Sequence, residues 1–552
     1  MIIVDPVVLG DVPFTRASPK WVYDRTGTLV QVPANTVGVT YDPADLSKAP
    51  WALLEPAAIN RIRNNTMQGA VVGTLGSGGA IPTFWQTDFG ANQKMEILDI
   101  QPDGTGFAYM DVRLYSAASD RGYLAIYPEP THSSSSLNSA VVAEGQAWYF
   151  SQYIKHINGV LPGNVQMTVR AVNGAGAGIS DSASGPLNIA GVNAPIRMTR
   201  QSISMPSTPA GTARLDCFLI IFITPGQPYD FTLRIGLPQI QRDRIDSPIK
   251  TSGSAVTRAA DVVGAGAGLV YSNVPMVEPP YNVATTYAKD AAVYDPTTKI
   301  VYWSMVAGNV GKALSDPAFW NKRTAINRWA MFDDRNSTQT SNPEEIVSVF
   351  SAQAITQGLF AGAMDASEVR VSMTHPTRGL VFSETKSLVL PRSGSSFFGW
   401  CFNRLRLRTW FLTLKLPVFA NALVTVTIKK PGGVPKCGMC LLGPTVDVGL
   451  SLMGLSTELK DYSTTTFFTD GSSSTVERGF SKKMSVDISV ESDRVETIED
   501  DLIKRRQKTL VFLGSTMRGD TMLVGRFSSL RKVIDSFPRS KMALQIDGVL
   551  SQ

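Results

Sequence analysis

Histidine is nearly absent from this chain: His132, His156 and His375 are the three in 552 residues. They lie far apart in sequence, so histidine-based acid–base catalysis and a multi-histidine metal site are not expected. Cysteine is almost as scarce. Cys217, Cys401, Cys437 and Cys440 are too few to staple a chain of this length. The opening Met1-Ile2-Ile3-Val4-Asp5-Pro6 lacks a basic segment and a cleavage site, so no export leader is expected, and synthesis in a reducing cytosol is. No run approaches eighteen apolar residues, so no membrane insertion is expected. A heptad or short-period repeat that would build a slender shaft is missing too. Charge is close to balanced, 52 basic against 46 acidic side chains for a net +6. That is a weak pull toward acidic partners, and no nucleic-acid partner is expected. No cofactor is implied.

What is present is the material for large β-sheet cores. The chain is 43% hydrophobic with 24 Phe, 15 Tyr and 9 Trp, while 46 Gly and 33 Pro are spread along it as turns would be. The length calls for several domains. Residues 1–66 hold Pro13, Pro19, Pro33, Pro43, Pro50 and Pro56, too many for a helix or central strand, and read as an irregular N-terminal docking arm. Its large apolar groups cannot form a core alone and should pack on another domain or subunit. Residues 67–248 alternate in the strand manner, as in Met95–Ile100 and Met110–Tyr115, and predict a jelly-roll β-sandwich. Residues 249–268 read as a Gly/Ala/Ser-rich linker, 269–325 as a small aromatic module and 326–460 as a second β-sandwich. In 461–552, Val495, Ile498 and Leu502 fall on one helical face behind a capping-box spacing at Asp493–Glu496, between strands, so this domain is expected to be α+β. The expected class is therefore mainly β: multi-domain antiparallel β-sandwiches with a C-terminal α+β domain.

One phrase occurs twice. Phe14-Thr15-Arg16-Ala17-Ser18 opens the chain, and Val256-Thr257-Arg258-Ala259-Ala260-Asp261 follows the jelly roll. The first copy, with Asp24-Arg25-Thr26-Gly27, Tyr41-Asp42-Pro43 and Leu53-Leu54-Glu55-Pro56-Ala57, resembles a recurring opening of tailed-bacteriophage virion proteins of the tail-fibre, collar or baseplate kind. In those proteins a jelly roll similar to carbohydrate-binding modules follows, closing on a phrase like Gly236-Leu237-Pro238-Gln239-Ile240 and the second copy. Tyr287–Tyr294, Lys299–Tyr302, Ala307–Asn309 and Asp316–Trp320 resemble the small aromatic modules of phage fibres and chitin-binding enzymes, with Asp290 where such modules place glycine. Residues 343–552 resemble the C-terminal halves of phage appendage proteins.

The resemblance implies candidate roles. Tyr287, Tyr294, Trp303 and Trp320 are candidates to stack on sugar rings, or else form the module's own core. Phe14, Arg16, Trp21, Tyr41, Trp51 and Arg258 are candidates for docking and assembly. Arg16 and Arg258 are expected to hold segments against β-domain edges through carbonyls or carboxylates. Arg404, Arg406 and Arg408 alternate with Leu405 and Leu407, and would share one face of a strand as a partner contact or a solvated surface. Cys437-Gly438-Met439-Cys440 lacks the further ligands of a zinc site and reads as buried thiols. Arg518-Gly519-Asp520 reads as a hairpin turn, and Gly73–Gly79 as a turn rather than a phosphate loop.

The implied function is a non-enzymatic structural protein of the phage tail, made in the host cytoplasm. It would be a homo-oligomer, expected as a trimer, contacting other tail, collar or portal-proximal proteins and a host surface glycan. A polysaccharide depolymerase and a pure tail adaptor are the alternatives.

Overall fold

The computed structural model describes residues 1–7, 9–102, 108–129, 142–187, 189, 199–351, 356–390, 397, 402, 406–516, 518–533 and 538–549. They are mainly strands in antiparallel pairs. The chain divides into two units, one formed by 14–46 and 53–262, the other by 1–13, 47–52 and 263–552.

The first unit is a sandwich. Its larger sheet runs Gly78–Gly79, Gly73–Leu75, Lys94–Pro102, Ala108–Ser116, Tyr229–Arg242, Trp148–Gly159, Thr199–Met205. The smaller runs Gln86–Asp88, Tyr123–Tyr127, Arg214–Phe222, Val165–Val172, Gly178–Ala183. Period-two alternation does what it should. Ile97, Val112 and Leu233 stand in register on the inner face, and Leu124, Met167 and Leu219 answer from the other sheet in one core. Trp148 and Phe150 are buried there too. Gly79 is required by crowding, since a Cβ would lie 2.1 Å from the Gly73 carbonyl oxygen.

Around this sandwich lie segments that composition assigned to an irregular arm and a linker. Lys20–Tyr23 and Leu29–Val32 form a hairpin, closed where the Asp24 carboxylate accepts from the backbone N–H groups of Thr26 and Thr28. Leu237 adopts φ +43, and its side chain joins Trp21, Tyr23, Leu29 and Tyr153 in a satellite cluster outside the main core. Residues 249–262 are no free linker. Val256–Arg258 pairs with Ala58–Asn60, Thr251 exchanges hydrogen bonds with buried Asn65, and the Asn60 amide donates to the Ile249 carbonyl. What holds the segment is its pairing and the buried Thr251 and Arg258, while Gly253 and Ala255 are exposed.

In the second unit, a six-stranded sheet runs Gly10–Asp11, Gly268–Ser272, Glu345–Ser351, Leu423–Lys429, Glu368–His375, Gly379–Ser387. Phe411–Thr413, Gly358–Gly362 and Met439–Gly443 form a smaller sheet, and residues of both share one core. Because Gly268–Ser272 pairs with Glu345–Ser351, the aromatic module is an insertion within this sandwich and not a domain before it. The segment 47–52 is stitched to it: Arg370 donates to Lys48 O, Ser372 to Pro50 O, and Ala52 N to Thr425.

The C-terminal sheet is completed from the other end of the chain. Ile2–Val4 lies between Thr445–Asp447 and Leu510–Ser515, followed by Arg518–Val533, Arg539–Gly548 and Phe480–Glu491. The expected helix forms at Val495–Lys504 with Val495, Ile498 and Leu502 buried, but Arg494 is its N-cap with no side-chain capping bond; a 3-10 turn at Ser492–Arg494 leads into it instead. No helix among the described residues is long and apolar enough to cross a membrane.

Ile3→Ala removes a buried side chain from the strand next to the edge of the C-terminal sheet and should cost about 2–5 kcal/mol. Hydrogen exchange should quicken in Leu510–Ser515 while Ala108–Ser116 keeps its protection; equal loss in both segments would contradict this.

Candidate functional site

The two copies of the repeated phrase meet in one buried cluster. Ionic side chains rarely leave water unless each is paired. Here Arg16, Lys20, Glu55, Asp246 and Arg258 are buried, and the Asp261 side chain is fully enclosed. Their contacts form a line of alternating sign. Arg16 Nη1 lies 3.0 Å from Asp261 Oδ1, and Lys20 pairs with the other Asp261 oxygen. Lys20 Nζ is 3.0 Å from Glu55 Oε2, and Arg258 Nη1 is 2.9 Å from the same oxygen. Arg258 Nη2 reaches Asp246 Oδ2 at 3.2 Å, and Arg244 closes the line on Asp246 Oδ1 at 2.7 Å. Every carboxylate thus stands between two cations.

Neutral partners complete the site. Arg16 donates to the carbonyls of Ser18 (2.7 Å), Thr36 (3.0 Å), Pro33 (2.7 Å) and Val32 (3.4 Å), and its ring neighbour is Phe14. Lys20 donates to Leu53 O, and Arg258 to Pro56 O. Ser247 gives its N–H and hydroxyl to the two oxygens of Glu55. Burial pushes the Glu55 carboxyl up, but Lys20, Arg258 and Ser247 together outweigh it and hold it below its ordinary 4.5. Asp246 goes the other way: burial and the neighbouring Glu55 charge raise it despite Arg258 and Arg244. The cluster is buried except at its Arg244 end. It clamps 16–36, 53–56, 246–247 and 258–261 together.

Arg16 and Arg258 were expected to hold segments through carbonyls or carboxylates, and they do both; with Phe14 they were also candidates for docking and assembly. They are buried inside their own unit, which leaves little of them for another body. Lys20 and Asp246 were missed altogether; the one available signal was a charged residue within each apolar phrase. Trp21 packs on the jelly roll with Lys250 Nζ 3.6 Å over its ring, and Tyr41 is buried. Trp51 lies in the stitched segment of the second unit, half-buried.

In the aromatic module, Ala292–Tyr294, Ile300–Ser304 and Trp320–Ala325 form a three-stranded sheet. Tyr287 and Trp320 are packed edge to face at 5.4 Å in its core, and Tyr294 is buried. Trp303 is the exception, 40% exposed with the Arg323 guanidinium 4.3 Å from its ring centre. Asp290 takes φ +65, the left-handed conformation that explains why glycine suits this turn. Of the arginine row, Arg404 lies outside the described residues, Arg406 is exposed, and Arg408 stacks on Trp410 at 4.9 Å. Arg518 and Asp520 pair with each other on the surface. Cys437 and Cys440 are buried, and burial pushes the Cys437 thiol up to about 12. No group of three or more His, Cys, Asp and Glu among the described residues is arranged to hold a metal ion.

A cavity of about 590 Å³ in the second unit has Leu9, Trp329, Phe332 and Leu441 as apolar lining and Lys299, Asp333 and Asp334 as polar lining. Burial raises both aspartates.

No protein-family model and no curated protein match the chain. Similar solved structures include the enzymatically active domain of tailspike protein 4 of bacteriophage CBA120, at 10% identity and TM-score 0.19, over 29% of this chain and 19% of that one. The baseplate tripod of bacteriophage Tuc2009 is similar at 10% identity and TM-score 0.23, over 62% and 91%. The tandem CBM22 domains of Paenibacillus barcinonensis Xyn10C are similar at 8% and 0.18, over 69% and 98%.

Removing one partner from the charge line strands a buried opposite charge, so Arg16→Met and Arg258→Met should each cost about 3–5 kcal/mol. Glu55→Gln should cost a similar amount at neutral pH. Because Glu55 titrates lower folded than unfolded, its contribution is present above 4.5 and is lost as pH falls through the folded value. Chemical denaturation of wild type and Glu55→Gln should therefore converge in acid; a gap independent of pH would refute the ion-pair role.

Proposed function

We propose that this chain is a structural component of a tailed-phage virion, a tail or collar appendage that contributes to host attachment or tail assembly. The observation that carries the reading is that the residues of the phage-like phrases, Arg16, Glu55, Arg258 and Asp261, are spent together on a buried clamp, a use that suits a scaffold under mechanical stress. Docking on other tail, collar or portal-proximal proteins falls to exposed surfaces and not to Phe14, Arg16 or Arg258. Exposure of Trp303, unlike Tyr287, Tyr294 and Trp320, supports assigning it the contact with a host glycan. The chain acts as a homo-oligomer and without catalysis. A depolymerase reading has one feature in its favour, the raised Asp333 and Asp334 carboxyls beside an apolar cavity.

Gold-labelled antibodies against the purified chain should decorate the tail or collar of particles of the phage that encodes it; undecorated particles would overturn the reading. Purified chain should also block adsorption, and Trp303→Ala should weaken the block. Release of reducing ends from host polysaccharide, lost in Asp333→Asn or Asp334→Asn, would replace it with the depolymerase.

A further inference from the structure

Exposed apolar side chains concentrate in one stretch of the C-terminal domain: Leu450, Leu452, Met453, Leu459, Phe467 and Phe468. The backbone there forms a ribbon that outruns its sheet. Ser456–Asp461 pairs with Phe480–Glu491, Tyr462 N donates to Gly479 O, and Thr464–Phe467 then pairs with Ser473–Val476. All eight residues of that last pair of strands are exposed, with Phe467 at 79%. A two-stranded hairpin with both faces in water is marginal by itself. Beside it, Ser456–Asp461 pairs on one side only among the described strands, so its other edge presents open N–H and C=O groups.

We propose that this edge and ribbon bind a second copy of the chain about a two-fold axis, which deepens the homo-oligomer part of the reading above. Charge selects the occupant. Across the sheet Asp547, Lys483 and Glu458 stand in register and alternate in sign, with Lys483 3.4 Å from Asp547. Antiparallel pairing of two edges with Leu459 opposite Leu459 puts Glu458 of each copy across from Lys460 of the other, and the alternation continues through the junction. Residues 462–476 carry one charge, Asp470, so two ribbons meet without like-charge opposition. In this register the chain beyond Asp461 runs back along 450–455 of the other copy. Phe467 and Phe468 thereby reach Leu450 and Met453, beside a cavity of about 860 Å³ lined in part by Ile2, Leu455 and Leu513. Rings seated in such a cavity are the usual anchors of an interface. The contact is isologous, so it builds dimers or even-numbered assemblies and replaces the trimer expected from sequence.

Light scattering on the eluting full chain should give twice the 59.6 kDa mass. Phe467→Asp with Phe468→Asp should return it to a monomer. Lys460→Glu should weaken self-association about tenfold, more at low salt than at high. In the wild type, amide protection of 456–468 should rise with protein concentration, a readout that needs no variant. A wild-type monomer at micromolar concentration overturns both this contact and the homo-oligomer reading. A trimer, an assembly indifferent to the Phe pair, or protection independent of concentration overturns this contact alone.

Discussion

Seven charged side chains, six of them buried and Arg244 half-exposed at one end, are arranged so that each carboxylate lies between two cations and hold segments of the jelly-roll unit together. Such a line is stable only as a whole. Take Lys20 away and both Asp261 and Glu55 lose a partner; take Glu55 away and Lys20 and Arg258 do. The desolvation cost of six ions is large, and an apolar core of the same volume would be at least as stable. What the ions add is uniqueness of register. A hydrophobic plug tolerates a shifted strand, whereas a carboxylate displaced by one residue faces its own sign. For segments as short as Val256–Arg258 and Ala58–Asn60, with little apolar area between them, that constraint stands in for a core.

The second unit uses a different device, closure by distant strands. Ile2–Val4 is inserted between Thr445–Asp447 and Leu510–Ser515 of the C-terminal sheet, and Gly10–Asp11 and Gly268–Ser272 open the sheet that Glu345–Ser351 continues. Inserting the aromatic module between two paired strands fixes both of its ends on a rigid base. Its rings are then needed twice over, as the core of a fold too small to have another and as the source of any binding surface. Tyr287 and Trp320 serve the first need, Tyr294 packs into the sandwich core beneath, and Trp303 is left for the second. A ribbon exposed on both faces is the counterpart of these internal locks, with no apolar core of its own.

Much of the fold was legible in the sequence. Alternation in Met95–Ile100 and Met110–Tyr115 marked strands correctly, because a strand's facing is set locally by its two-residue period, but a bulge after Ile97 shifts the register in the first. The helix at Val495–Lys504 was legible for the same reason at a period of 3.6. The linker and the arm misled because glycine, alanine and proline report only that a segment is not a helix or central strand. Whether it then floats or is clamped depends on residues elsewhere, here Asn60, Asn65 and Glu55.

By itself the sequence determined the strand-rich class, the amphipathic helix of the C-terminal domain and the two arginines that mark the repeated phrase. The phrase named Arg16 and Arg258, but not the line of charge that joins them. Only the tertiary structure decided that, since Asp261 is carried back to Arg16 by an intervening sandwich, and Asp246 reaches Arg258 only when the closing strand turns. Pairing of charges is a property of distance in space, and nothing in local composition encodes a separation created by two sheets folding face to face.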